Sequence, residues 1–100
     1  MDYLFAYGTL QQPAVQQLLL GRELASTPDV LDDYEKISIT LGSTAYPIIQ
    51  PQAGAEVSGL LLSVEADDLP KLDHYETAAY QRVRVTLRSG VDAWVFRVPE

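Results

Sequence analysis

The second half of the chain contains the run Leu72-Asp73-His74-Tyr75-Glu76-Thr77-Ala78-Ala79-Tyr80-Gln81-Arg82, which joins a predicted helix to a predicted strand. In a helix over residues 66–76, positions 69, 72, 73 and 76 share one stripe. Two leucines on that stripe should face the core, yet Asp73 and Glu76 lie on it too. A buried carboxylate is unfavourable unless it is paired or hydrogen-bonded. We therefore expect these carboxylates to have a partner or a function, and Glu76 is the first candidate.

Composition restricts the class of protein. A length of 100 residues, with 47% hydrophobic and 21% charged, predicts one globular domain over residues 1–100. No run approaches the roughly 18 apolar residues of a membrane span. The N-terminus has no basic segment before an apolar one, so it does not read as a signal peptide. The default expectation is a cytoplasmic protein.

Charge and rare residues exclude several kinds of site. The sequence has no cysteine, which excludes disulfides, thiolate nucleophiles and sulfur-ligated metals. His74 is the only histidine, so multi-histidine metal sites are excluded as well, and we expect it to be solvated on the polar side of its helix. A formal charge of −7 argues against a nucleic-acid surface, which would need a basic face.

The first half of the chain begins with a strand, a glycine turn and a helix. Residues 2–7 are short and apolar, as in a strand buried on both faces. Pro13 opens a helix to about residue 20, because proline fits the first helical turn, and its predicted apolar stripe is Ala14, Val15, Leu18 and Leu19. Strand segments follow around a turn signal at 32–33, with loops predicted at 41–44 and 52–55. Pro47 and Pro51 restrict the piece between those loops to a sheet edge or an irregular position.

The second half adds strands on both sides of the predicted helix. Residues 56–64 predict a strand in which Gly59 indicates a bulge or another segment passing close by. Residues 80–88 alternate between apolar and polar, Ser89-Gly90 is a hairpin turn signal, and 91–98 return as the partner strand. The order predicts an α+β fold with about five or six strands and two helices.

The motif Tyr7-Gly8-Thr9-Leu10 lies where the first strand ends and a helix is about to begin. Glycine there allows a ligand close to the backbone, and consecutive N–H groups in such a turn bind a carboxylate or a developing oxyanion. Thr9 adds a hydroxyl group. A plain connection between strand and helix explains the same four residues, so the motif alone decides nothing.

Glu76 is the candidate acid/base. On an apolar stripe beside Asp73, desolvation and like charge should both hold its proton more tightly, and a carboxyl group tuned in this way serves general acid/base catalysis. A glutamate at a helix end, turned to solvent, fits the periodicity equally well. Tyr80 and Arg82 share a predicted strand face after Glu76, where they would line a pocket with it or form a solvated surface.

Six short motifs occur in an order that resembles the gamma-glutamylcyclotransferase-like superfamily, in particular its branch named after the plant avirulence-induced protein. They are Tyr7-Gly8-Thr9-Leu10, Pro13-Ala14-Val15 with Leu18-Leu19-Leu20-Gly21-Arg22, Tyr46-Pro47, Val57-Ser58-Gly59-Leu60-Leu61, Leu72-Asp73 with Glu76, and Tyr80-Gln81-Arg82. The resemblance covers nearly the whole chain. It implies a small mixed or antiparallel β-barrel flanked by two helices, with the ligand cavity at the first motif.

The resemblance also implies a reaction and the residues that carry it. The substrate would be a small γ-glutamyl amide or γ-glutamylamine, whose free α-amino group attacks its own γ-carbonyl to form 5-oxoproline and release an amine. Glu76 would be the general acid/base, Tyr7, Gly8, Thr9 and Leu10 would bind the γ-glutamyl group, and Tyr80 would lie near the cavity. No metal or cofactor would be needed.

Two departures from the family pattern concern the substrate. Gln11-Gln12 follows the first motif where relatives often carry a basic residue, and longer relatives continue past the position of Glu100 with a segment that helps to close the cavity. We therefore expect a more open cavity than theirs. Two further functions stay open: a module that binds a small acidic or amino-acid-like ligand without catalysis, and an interaction protein that uses an exposed strand edge.

Overall fold

The computed structural model describes residues 2–76 and 80–98, and over those residues the chain forms five strands and two helices. The elements are β1 (Asp2–Ala6), α1 (Pro13–Leu20), β2 (Ser26–Leu41), β3 (Thr44–Val64), α2 (Leu69–Glu76), β4 (Gln81–Thr86) and β5 (Asp92–Arg97). Short 3₁₀ turns at Thr9–Gln11 and Ala66–Asp68 precede the two helices. The predicted α+β class is confirmed. Residues 77–79, within the quoted run, lie outside the described residues.

The strands form one sheet in the order β2-β3-β1-β5-β4. Neighbours are antiparallel except β1 and β5, which are parallel, so the sheet is mixed. The sheet curls into a half-barrel, and across its opening Arg88 N donates a hydrogen bond to Val30 O at 2.9 Å. This is the mixed, barrel-like sheet with two helices that the family resemblance implies.

Strand β1 is central, which explains why its residues are apolar on both faces. Leu4 on one face and Phe5 on the other are at most 1% exposed. Leu4 belongs to the cluster beneath the helices and Phe5 to the cluster inside the curl of the sheet. Both faces of β1 are therefore buried, as the sequence indicates.

Gly59 lies where β3 passes β1. A Cβ atom at this position would overlap the Ala6 carbonyl oxygen and come within 2.8 Å of Phe5 Cζ. Of the two explanations that the sequence left open, close approach of another segment is the one observed.

The predicted loop at 52–55 is wrong as a chain break, since these residues continue strand β3. The register of β2 against β3 shifts between Asp32 and Tyr34, so that Asp33 alone faces the four residues 52–55. Asp33 and Gly54 both take positive φ angles, of 64° and 83°, and Gly54 N donates to Asp33 Oδ1 at 3.1 Å. The turn signals in the sequence thus produce a wide bulge within one long hairpin.

Beyond the bulge, residues 34–41 and 44–51 form a two-stranded extension that we call the arm. Residues 42–43 make its turn, with Gly42 at a φ of 65°. In the part of the chain that the structure describes, β3 pairs only with β2 along the arm. Pro47 and Pro51 lie in this single-sided part of β3, in agreement with the predicted edge position.

The predicted apolar stripe of α1 is wrong in part. Leu18 is 84% exposed and Ala14 is exposed, whereas Gln16 is 3% exposed. The buried glutamine is satisfied at both ends of its amide: Nε2 donates to Leu10 O and Oε1 accepts from Leu24 N, each at 2.8 Å. These hydrogen bonds set the rotation of α1, so a polar residue outside the predicted stripe is buried while Leu18 of that stripe is exposed.

Candidate functional site

A cavity of about 730 Å³ lies at the end of β1, between the arm and the end of α2. Its walls are Phe5, Ala6, Tyr7, Gly8, Thr9, Leu10, Ile39, Thr44, Ala45, Tyr46, Pro47, Tyr75, Glu76, Tyr80, Phe96 and Val98. All six residues that the sequence singled out for a site are among them. The structure thus brings the Tyr7-Gly8-Thr9-Leu10 motif, Glu76 and Tyr80 to one place.

Glu76 is the last residue of α2 and its side chain is half-buried in this cavity. Desolvation raises the pKa of its carboxyl from the ordinary 4.5 to about 7. The sequence led us to expect a second cause, repulsion from Asp73, but burial accounts for the shift here. Near neutral pH both protonation states of Glu76 are populated, which is the condition for accepting and returning a proton.

Asp73 is paired outside the cavity. Its Oδ1 lies 3.2 Å from Arg82 Nε, and the Arg82 guanidinium stacks on Trp94 at 4.4 Å from the ring centroid. Of the two alternatives that the sequence left open, Tyr80 lines the cavity with Glu76, whereas Arg82 is not part of its wall. The ion pair joins α2 to β4, on either side of residues 77–79, and so anchors the helix that carries Glu76.

The loop after β1 forms a tight 3₁₀ turn against the arm. Gln11 N donates to Gly8 O at 3.1 Å, and this is the first hydrogen bond of the turn, so the N–H groups before it lie at its free N-terminal end. Gly8 packs beside the arm, since a Cβ atom there would lie 3.3 Å from Pro47 Cγ. Leu10 is buried, and its carbonyl group is bound by Gln16.

Tyrosine hydroxyl groups join the walls of the cavity to one another. Tyr7 OH donates to Phe96 O at 2.5 Å, and burial raises the pKa of Tyr7 well above its usual range, so this phenol stays protonated. Tyr80 OH donates to Pro47 O at 2.9 Å, which fixes the arm to the chain that follows α2. Burial, then the nearby Glu76 carboxylate, raise the pKa of Tyr80 as well.

Thr9 also makes a contact across the cavity, because its Oγ1 lies 2.9 Å from Tyr75 OH, with either oxygen as donor. Tyr75 was missed by sequence reasoning, since it falls beside the stripe that drew attention to Glu76. The arm residues were missed too, apart from Tyr46 and Pro47, which entered only as part of the family resemblance. Their positions depend on how the long hairpin bends, which local sequence does not reveal.

Other features bear on which ligands could be held. His74 is exposed, as expected for a solvated residue. Over residues 2–76 and 80–98, no group of three or more histidine and carboxylate side chains is arranged to hold a metal ion. Over the same ranges, no helix is long and apolar enough to cross a membrane.

Comparison with known proteins agrees with the motif order. The family model described as "Gamma-glutamyl cyclotransferase, AIG2-like" matches residues 4–100. The chain belongs to this AIG2-like family. Among curated members it is 35% identical over 95 residues to AIG2-like protein D of Arabidopsis thaliana, and 35% identical over 83 residues to AIG2-like protein C of the same plant. These matches cover 92% and 82% of the chain but 61% and 47% of the two relatives, so the chain spans about half to two thirds of their length.

Several solved structures share the fold. A solution structure from Arabidopsis thaliana superposes with a TM-score of 0.84 at 25% identity and covers 97% of this chain and 61% of that one. A protein named Gamma-glutamyl cyclotransferase superposes with a TM-score of 0.75 at 18% identity, over 99% of this chain and 67% of its own. At that identity the likeness establishes the half-barrel fold.

Proposed function

We propose that the chain is a cofactor-independent enzyme that cyclises a small γ-glutamyl amide or γ-glutamylamine to 5-oxoproline and releases an amine. Glu76 would be the general acid/base, and Tyr7, Gly8, Thr9, Leu10 and Tyr80 would contact the substrate. The observation that carries the proposal is the half-buried carboxyl of Glu76, with a pKa of about 7, in one cavity with the loop of residues 7–10. Membership of a family described as gamma-glutamyl cyclotransferase supports the reaction type.

The proposed reaction moves two protons, one after the other, through Glu76. The ionised carboxylate takes the first proton from the substrate α-ammonium, and the free amine attacks the γ-carbonyl carbon to form the ring C–N bond. The oxyanion that develops on the γ-oxygen is stabilised by N–H groups at the start of the turn. Glu76 gives its proton to the leaving nitrogen as the bond to that nitrogen breaks. The carboxylate then takes the second proton from the ring nitrogen and passes it to the released amine, so that 5-oxoproline and an ammonium ion remain.

Positioning accounts for much of the expected rate. Amine and carbonyl belong to one flexible molecule, so the cavity must hold the folded-back conformer in which they meet. Holding reacting groups in place contributes about 7 kcal/mol or more in favourable cases. The hydrogen bonds from Tyr7 to Phe96 and from Tyr80 to Pro47 fix the walls of the cavity before substrate arrives.

The test is release of 5-oxoproline from a panel of γ-glutamyl amides and γ-glutamylamines by the wild type and by Glu76→Gln. The glutamine side chain keeps the size of glutamate but neither accepts nor returns the proton. We therefore expect kcat to fall by a factor of about 10² to 10⁴. Glu23→Gln, which removes a carboxylate from an exposed loop, is the matched control and should keep the wild-type rate. Turnover that survives in Glu76→Gln would refute the role of Glu76, and binding without any product release would mean a binding module.

A further inference from the structure

Tyr75 joins the helix that carries Glu76 to the loop that follows β1. It precedes Glu76 in α2, and its hydroxyl oxygen lies 2.9 Å from Thr9 Oγ1. Both residues line the cavity and both are exposed, so this hydrogen bond crosses the rim of the cavity. The proposed reaction gives the phenol of Tyr75 no task, which makes it the group to explain.

The chemistry of the two hydroxyl groups decides which of them donates. A hydroxyl group has one proton to donate and two lone pairs that accept. A hydrogen bond between two hydroxyl groups therefore uses the proton of one and leaves the proton of the other free. A phenol is a stronger acid than an aliphatic alcohol and hence the better donor. We therefore expect Tyr75 OH to donate to Thr9 Oγ1, which leaves the Thr9 proton for a third group.

Thr9 lies where a developing negative charge can be met. It is the first residue of the 3₁₀ turn, and its carbonyl oxygen accepts from Gln12 N at 3.0 Å. Its side chain thus leaves the backbone at the end of the turn where the N–H groups are free. In the proposed reaction these N–H groups face the γ-oxygen as it becomes an oxyanion. The Thr9 hydroxyl would add a side-chain donor to these backbone donors.

The bond from Tyr75 also makes Thr9 a stronger donor. Hydrogen bonds that follow one another in a chain polarise one another. The gain is largest where the last acceptor carries a full charge, as the oxyanion does and the carbonyl oxygen of the bound substrate does not. The contact should therefore stabilise the transition state more than the bound substrate, which raises kcat rather than lowering KM.

We infer that Tyr75 is a positioning residue, whose hydroxyl donates to Thr9 Oγ1 so that the Thr9 hydroxyl donates to the oxyanion. This inference rests on the proposed function. It goes beyond it by giving a role to a side chain that acts through another residue rather than on the substrate.

Removing the phenolic hydroxyl tests the role of Tyr75. In Tyr75→Phe we expect kcat for 5-oxoproline release to fall by about tenfold, with KM within about twofold of the wild type. The hydrogen bond is exposed, so the temperature of thermal unfolding should not change. Tyr3→Phe removes the same hydroxyl from a residue of β1 outside the cavity, and this matched control should keep the wild-type kcat. An unchanged kcat in Tyr75→Phe, or a rise in KM alone, would overturn the inference.

A double variant shows whether Tyr75 acts through Thr9. Thr9→Val keeps the shape of the side chain without its hydroxyl and should lower kcat by about a hundredfold. Adding Tyr75→Phe to Thr9→Val should then change kcat by less than about twofold, whereas in Thr9→Ser, which keeps a hydroxyl, it should still cost about tenfold. Independent losses in the double variant would mean that Tyr75 acts on the substrate or on the packing of the rim, and would refute the inference.

Binding of an oxyanion analogue separates this inference from the proposed function. Phosphinothricin carries an anionic methylphosphinate where a γ-glutamyl compound has its carbonyl group, so it presents a tetrahedral anion that does not react. In calorimetric titration, Tyr75→Phe should bind it about fivefold more weakly than the wild type, and this loss should disappear in Thr9→Val. The same pattern without turnover of any γ-glutamyl compound would support the contact while the proposed catalysis fails. Equal affinity in the wild type and Tyr75→Phe would overturn the inference, and neither binding nor turnover in the wild type would overturn both.

Discussion

Replacing Glu76 by glutamine should change how the stability of the protein depends on pH. In the unfolded chain its carboxyl titrates near 4.5, and in the folded protein burial raises the pKa to about 7. Below pH 4.5 the carboxyl is protonated in both states and contributes no difference. Between pH 4.5 and 7 the unfolded state ionises first, so the free energy of unfolding falls as pH rises, and the loss is complete above pH 7. Glutamine does not titrate and has no such loss.

The size of the effect follows from the shift in pKa. Each pH unit between the two pKa values corresponds to about 1.4 kcal/mol, which sets a ceiling of about 3 kcal/mol for Glu76. The side chain is only half-buried, so solvent screening reduces this value, and we expect about 2 kcal/mol. The free energy of unfolding of Glu76→Gln minus that of the wild type should therefore be about 2 kcal/mol larger at pH 8 than at pH 4.

The assay is urea denaturation of both proteins at several pH values between 4 and 8. Trp94 is the only tryptophan and is partly buried between two arginine side chains, so its fluorescence reports unfolding. The free energy of unfolding is the product of midpoint and slope, and the quantity of interest is the variant value minus the wild-type value. Glu23→Gln serves again as the matched control, because it removes a carboxylate from an exposed loop.

A difference between Glu76→Gln and wild type that stays constant from pH 4 to pH 8 would refute the reasoning. It would mean that Glu76 ionises equally in the folded and unfolded states and is solvated. Its role as a tuned acid/base would then lose its physical basis. A difference that falls as pH rises would mean that the folded protein stabilises the carboxylate, the reverse of desolvation.

Two further substitutions test how the site is supported. Gln16→Leu leaves two buried backbone groups, Leu10 O and Leu24 N, without their partner, and should lower the free energy of unfolding by about 2–4 kcal/mol in urea denaturation. Gly59→Ala forces a methyl group into the Ala6 carbonyl oxygen of the central strand, and should lower it by about 3 kcal/mol or more in thermal denaturation.

Each of these has a control at an adjacent position of the chain. Gln17→Leu makes the same substitution at an exposed position of α1, and Ser58→Ala changes an exposed residue of β3. Both should remain within about 0.5 kcal/mol of wild type. Stability in Gln16→Leu equal to that of its control would mean that the glutamine does not hold the loop, and a fully stable Gly59→Ala would rule out the close approach of β1 and β3.

The six residues that were proposed for a site share one cavity, whereas the path of the chain between them was predicted less well. The motif Tyr7-Gly8-Thr9-Leu10 and Glu76 meet because each lies at the end of an element whose type local pattern reveals. The buried central strand could be predicted from its length and composition, and the helix that carries Glu76 could be predicted from its stripe of leucines. Where the hydrophobic pattern agrees with the observed burial, the local sequence was sufficient to predict the type of the element.

The errors have a common cause in contacts between secondary-structure elements and the segments that flank them. Gln16 is buried because backbone groups just before and just after α1 bind its amide, and helical periodicity does not predict such contacts. The residues at 52–55 resemble a loop, yet pairing with β2 absorbs them as a bulge in a continuous strand. Arg82 shares a predicted face with Tyr80, but Asp73 and Trp94 draw it outside the cavity. In each case a contact outside the element itself overrides the local preference.

The parallel pairing of β1 with β5 has a consequence for how the chain acquires its structure. Leu4 pairs with Trp94, and Tyr7 OH reaches Phe96, 89 residues away. Among the described strands, the central strand β1 is thus synthesised first and its neighbour β5 last. Closing so long a loop slows folding and leaves apolar edges of β1 exposed meanwhile. A fragment ending before β5 lacks Phe96 and Val98 of the cavity wall, so ligand binding at the proposed site should emerge only when residues up to Val98 have been synthesised and docked.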